Sequence, residues 1–139
     1  TRAAKAMSET GLARSAFWRR FQEAYPRNAR DGVPGGASNM WRRCAGDVIV
    51  SYYLAKGSVG VFVRGDSGVA IEDIKVRLAS SQAKIERQLG VPMGDATHIF
   101  PDSLAGDFRD PAQFETLASW LDERVATYAS TFNQILRTE

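Results

Sequence analysis

Asp47-Val-Ile-Val-Ser-Tyr-Tyr-Leu-Ala-Lys-Gly-Ser-Val-Gly-Val-Phe-Val-Arg64 decides the fold. Two runs rich in β-branched and aromatic residues flank Lys56-Gly57, the pattern of a β-hairpin. Val59, Val61 and Val63 alternate onto one face, and Ser58, Gly60, Phe62 and Arg64 onto the other. A two-residue loop sets Tyr52 and Val50 opposite Val61 and Val63 and makes Tyr53 a neighbour of Phe62. A three-residue loop with Gly57 in the left-handed region swaps the faces of the first strand. The sequence leaves both registers open.

Working outward, Arg64-Gly-Asp-Ser-Gly68 reads as a turn. A long helix is expected over 69–89, with Ile71, Ile74, Leu78, Ile85 and Leu89 as its apolar stripe. Gly90 and Pro92 end it. Residues 91–110 read mostly as loop, with a short strand at 97–100. Asp110-Pro111 supplies a cap and a first-turn proline for the last helix. There Phe114, Leu117, Leu121, Val125, Tyr128 and Phe132 recur every three or four residues, with Leu136 one turn beyond. Upstream of the hairpin, residues 26–46 read as a long loop rich in Gly, Pro, Asn and Ser. A first helix is expected over 12–25, capped by Thr10 and stopped by Pro26, with Trp18, Phe21 and Tyr25 at helical spacing. Residues 1–10 read as a loose lead-in. The expected architecture is a single α+β domain over 1–139. It has a small antiparallel sheet built on a β-hairpin and packed with three helices, in the order α-β-β-α-β-α.

Composition narrows the class. Apolar residues make up 44% and charged residues 24% of 139, which is globular rather than disordered composition. No apolar run reaches the roughly 18–20 residues of a membrane helix, so no membrane partner is expected. The single Cys44 cannot form an internal disulfide, and the first residues lack a signal-peptide pattern. A cytoplasmic setting is therefore expected. The chain begins at Thr1, as a piece or processed product of a longer protein would.

The charges are sorted along the chain. Residues 1–64 carry nine Arg and two Lys against Glu9, Glu23, Asp31 and Asp47, a net of +7. Residues 65–139 carry seven basic and twelve acidic side chains, a net of −5. The overall +2 hides a basic half suited to an anionic partner. Arg outnumbers Lys fourteen to four, which reflects either phosphate recognition or genomic base composition.

Phe17-Trp-Arg-Arg-Phe, a hairpin entering a helix that ends Lys84-Ile-Glu-Arg-Gln-Leu-Gly90, and the closing Trp120-Leu, Tyr128 and Phe132-Asn-Gln-Ile135 form one constellation. It resembles an uncharacterised bacterial domain-of-unknown-function family over roughly residues 15–136. That family occurs as the C-terminal module of PD-(D/E)xK restriction-endonuclease-like proteins. The resemblance implies a nuclease-like partner domain and a nucleic-acid context. It brings no catalytic residues to carry over.

The residues themselves supply no catalytic motif. Glu72, Asp73 and Lys75 stand together, but at a helix start where acids favour the helix dipole. Asp95, Asp102, Asp107 and Asp110 lack the spacing of a calcium loop. His98 is the only histidine. Triads and zinc sites need one or more histidines beside other well-placed groups. With Cys44 distant in sequence, a structural or surface role is expected. Cys44 reads as an inert half-buried thiol. Gly32-Val-Pro-Gly-Gly36 precedes no helix. The turn at 64–68 does precede one, and its amides could bind a phosphate, yet it matches no nucleotide fingerprint. No catalytic residue, metal ligand or cofactor is assigned.

The basic residues remain. Arg27, Arg30, Arg42 and Arg43 decorate the 26–46 segment with Trp41 beside the last pair, and Lys56 and Arg64 lie on the hairpin. Arg30, Trp41, Arg42, Arg43, Lys56 and Arg64 form the candidate nucleic-acid-binding set, by phosphate contact and base stacking. Tyr53 and Phe62 join them if one sheet face is open. The preferred reading has helices covering both faces and Trp41 plugging the core. The last helix offers a rival function. With Trp120 beside Leu117 its apolar surface is wide, which suits a protein-interaction or homodimer interface. The leading expectation is a non-catalytic accessory module contacting nucleic acid through its basic half.

Overall fold

The computed structural model describes residues 9–31, 39–66, 68–94 and 98–137, with the side chains of 29–31 set aside. The lead-in over 1–8, the Gly-rich run at 32–36 and Asp95 lie outside these residues, as does the side chain of Arg30.

The central hairpin forms with the two-residue loop. Strand β2 (Val48–Ala55) pairs antiparallel with β3 (Ser58–Gly65), placing Tyr52 opposite Val61 and Val50 opposite Val63. Gly57 turns the corner at φ 85, a conformation that costs glycine little. Two flanking strands complete a four-stranded antiparallel sheet of order β1-β2-β3-β4. Strand β1 is Asn39–Arg43 and β4 is Ile99–Ala105.

Helix α1 spans Glu9–Ala24, and the chain then tightens into a 3-10 turn over Pro26–Asp31. After the hairpin come α2 (Ile71–Leu78), a 3-10 turn (Ala79–Ser81) and α3 (Gln82–Leu89). A 3-10 turn at Pro111–Gln113 runs into α4 (Phe114–Arg137). The Asp110 carboxylate accepts the Ala112 N–H at 3.0 Å, the cap expected of Asp-Pro.

The α+β class and the antiparallel sheet are as expected, and four local readings change. The 26–46 loop holds a 3-10 turn and strand β1. An edge strand with only Met40 buried carries no alternation that a sequence scan could find. The 69–89 helix is broken at Ala79–Ser81, a stretch whose two serines are weak helix formers. The short strand at 97–100 is displaced and longer, and it contains Pro101. This proline sits in an edge strand, where a missing N–H is tolerated. Thr10 lies inside α1 rather than capping it.

The four α-helices among the described residues serve one face of the sheet. Met40, Val50, Tyr52, Leu54, Val59, Val61, Val63 and Ile99 point into the core shared with α1, α2, α3 and α4. Trp18 and Phe21 of α1 meet the Tyr52 ring at 6.0 and 6.1 Å. The α4 stripe of Leu117, Leu121, Val125, Tyr128 and Phe132 lies beneath, fully buried. Each such side chain removes roughly 1.5–3 kcal/mol of apolar exposure from water.

Around Asn28 the buried polar groups form a connected knot. Asn28, fully buried, donates from Nδ2 to the Tyr25 carbonyl and to Asp122 Oδ1, at 3.1 and 3.0 Å. Its Oδ1 accepts from Arg42 at 2.7 Å and from the Tyr52 hydroxyl at 3.1 Å. Arg27 clamps the Asp122 carboxylate at 2.9 and 2.6 Å. This knot ties the first 3-10 turn to β1, β2 and α4.

Candidate functional site

Alternation fixes what the opposite face presents. The register sets Asn39, Trp41 and Arg43 of β1 beside Tyr53, Ser51 and Ile49 of β2. On β3 the same face carries Gly60, Phe62 and Arg64. The hydrophobic core cluster of the described residues lies on the opposite face, so the expected helix cover on both faces is corrected, although Ile49 and Ser51 are buried on this one. Nor does Trp41 enter the core: it stands half-buried opposite Ser51 on this face.

Three rings form a row on this face. Phe62 stacks on His98 with centroids 4.1 Å apart and planes 26° from parallel. Tyr53 lies 6.0 Å from Phe62 on the other side. His98 is exposed and its two neighbours are half-buried. The Tyr53 ring folds across Gly60, so that a Cβ there would collide with its hydroxyl and ring atoms. The glycine is what lets this ring lie flat on the sheet. Burial, with a smaller contribution from Asp102, pushes the Tyr53 hydroxyl above its ordinary pKa, so it remains a neutral donor at neutral pH. Asn39, Tyr53, Phe62, His98 and Pro101 border an open depression of about 340 Å³.

Cations stand at one end of the row. Arg43 and Arg64 flank Ile49 across three strands. Arg43 is 70% exposed and pairs with Asp66 at 3.2 Å, a surface pair of small energetic value. Arg64 donates to the Gly65 carbonyl at 3.2 Å.

The sequence-predicted set therefore divides. Trp41, Arg43 and Arg64 share the aromatic face. Arg42 points the other way, into the buried knot with Asn28. Lys56 sits at the hairpin tip, at the far end of the strands from Arg43 and Arg64. Arg30 lies in the first 3-10 turn, and its side chain is outside the described residues. His98 was missed as a partner of Phe62. Only the register of β4 brings them together, and no local signal reports it.

Among the described residues, no group of three His, Cys, Asp or Glu side chains comes together to hold a metal ion. Likewise no helix there is long and apolar enough to cross a membrane. Cys44 is half-buried, with Sγ 3.9 Å from the Arg42 carbonyl. Comparison with protein-family models, with curated proteins and with solved structures finds no significant match.

Proposed function

We propose that this chain is a non-catalytic module that holds single-stranded nucleic acid on its aromatic sheet face, as an accessory of a bacterial nuclease-like protein. The observation that carries the reading is the row of Tyr53, Phe62 and His98 on the face opposite the hydrophobic core of the described residues. Flat rings are sequence-tolerant platforms for bases, and each base stacked contributes about 1–3 kcal/mol. Arg43 and Arg64 lie where the backbone phosphates of such a strand would leave the row, with Trp41 as a further ring. Paired bases keep their faces to themselves, so a duplex gains little from this surface. The nuclease-like partner rests on the family resemblance alone.

An interaction module built on α4 has less to support it. The apolar stripe of that helix is consumed by the core. The exposed large apolar side chains among the described residues are Leu12 and Val76, on two other helices.

Fluorescence anisotropy of labelled single- and double-stranded DNA and RNA at about 50 and 200 mM salt tests the proposal. Single strands should bind more tightly than duplexes and weaken with salt. Phe62→Ala should weaken binding by about 5- to 150-fold, the equivalent of one stacked base. Arg43→Ala should flatten the salt dependence by about one phosphate contact. Equal binding by the Phe62→Ala variant would overturn the reading, as would no binding at low salt with tens of micromolar protein.

A further inference from the structure

A second concavity lies at the hairpin tip, on the helix side of the sheet and away from the aromatic row. It has a volume of about 200 Å³ and is lined by Thr10, Arg14, Leu54, Lys56, Phe108 and Arg109. Three cationic side chains thus reach one pocket from three separate segments: α1, the hairpin turn and the loop after β4. Leu54 and Phe108, both buried, supply an apolar floor. Asp107 Oδ1 accepts from Arg109 Nε at 3.2 Å, in an exposed pair. Such pairs are weak and leave the outer guanidinium nitrogens available. Lys56 and the outer nitrogens of Arg109 give the pocket mouth a positive character that suits an anionic ligand.

The volume bounds the ligand. Pockets for drug-sized molecules run about 300–1,000 Å³, so this one suits a phosphoryl or diphosphoryl group with a small organic remainder. Guanidinium forks and an ammonium match phosphate oxygens in both geometry and charge. The pocket continues along α1 into a smaller depression of about 110 Å³, which shares Phe108 and Arg109. There Arg20 lies over the Phe114 ring at 3.9 Å, so cation and aromatic surface both persist beyond the pocket.

We infer that this pocket binds a terminal phosphate or diphosphate, with Lys56 and Arg109 as the principal contacts and Arg14 beneath them. That chemistry has two sources: a free phosphorylated small molecule, or the 5′-phosphate end of a strand. The site shares Leu54 with the depression beside the aromatic row, but none of its charged residues belongs to that row.

The test is titration of the ¹⁵N-labelled chain with inorganic pyrophosphate, followed by amide chemical shifts at constant ionic strength. The expected result is saturable binding with Kd of about 1 mM or tighter, with shifts centred on residues 56 and 109. The Lys56→Ala/Arg109→Ala double variant should lose at least tenfold in affinity. Both positions are exposed, and unchanged spectra elsewhere would show that the variant is folded. A short oligonucleotide with a 5′-phosphate, its 5′-hydroxyl counterpart and adenosine monophosphate identify the source. A tenfold preference for the 5′-phosphate strand assigns the pocket to strand ends, and equal affinity for the monophosphate assigns it to a small molecule. No saturable shift up to about 10 mM pyrophosphate, or an unchanged Kd in the double variant, would overturn the inference. Phe62→Ala separates the two sites, because it should leave pyrophosphate binding intact.

Discussion

Replacing Asn28 with Ala tests whether the buried knot is what holds β1 in place. The Asn28 amide uses its full capacity, with two donated and two accepted hydrogen bonds. Truncation affects those partners unequally. Arg42 is half-buried and can turn towards water. The Tyr25 carbonyl still accepts the Asn28 backbone N–H at 3.0 Å. Asp122 keeps the Arg27 clamp. The Tyr52 hydroxyl, on a fully buried side chain, loses the Asn28 acceptor. Losing that acceptor inside the core costs about 1–3 kcal/mol, and losing one charge-assisted bond to Asp122 adds about 1 kcal/mol. The expected total is about 3 kcal/mol, or a fall in Tm of about 10–15 °C for a chain of this length. Urea unfolding followed by tryptophan fluorescence measures it. A double-mutant cycle with Tyr52→Phe isolates the mechanism. Without the hydroxyl, Asn28→Ala should cost about 1.5–2 kcal/mol less than in the parent chain. A loss below about 1 kcal/mol for Asn28→Ala, with coupling within 0.5 kcal/mol of zero, would refute the reasoning.

Gly60→Ala should drive the Tyr53 ring off the sheet. Because that ring is half-exposed it can move, so stability should fall by only about 1 kcal/mol, while the Tyr53–Phe62 contact is lost. Tyr fluorescence and single-strand affinity report the two effects separately. Tyr128→Phe removes the 2.7 Å hydrogen bond to the carbonyl of Phe100, a residue held at φ 52. It should cost about 1–2 kcal/mol in urea unfolding. The Glu86 carboxyl is held below its ordinary pKa first by the Gln82 amide and then by the Met93 N–H. A depressed carboxyl contributes stability above the unfolded value of about 4.3 and loses it as pH falls through the folded value. Glu86→Gln should therefore flatten the acid side of the stability–pH curve, as measured by thermal unfolding between about pH 3 and 6.

Much of the fold was legible because it was local. The hairpin announced itself through Val-rich alternation around Lys56-Gly57, and α4 through the periodicity from Phe114 to Phe132. The choice between hairpin registers was hidden, since the sequence does not state the length of the turn. Strand β1 was hidden because an edge strand takes its hydrogen bonds from β2 and needs only one buried side chain, Met40. The candidate surface was half legible. Tyr53, Phe62, Trp41, Arg43 and Arg64 stood out by residue type. Which way each one points required the register, and the register separated Arg42 from Arg43 although they adjoin in sequence. His98 and Arg109 belong to no local pattern. They joined their sites only when the late loop and β4 closed on the sheet.

The outer border of β4 sets how large this sheet can grow. The Phe100 N–H is taken by the Met93 carbonyl, Pro101 has no N–H, and the Ser103 N–H is taken by the Asp102 carboxylate. A visiting strand that tried to add there would meet no continuous run of donors over 100–103. Sheets that lack such protection template aggregation through their edges. The same three residues that make this strand irregular thus act as a terminus for polymerisation, and they keep an aromatic, partly apolar surface from being extended copy by copy into a fibre.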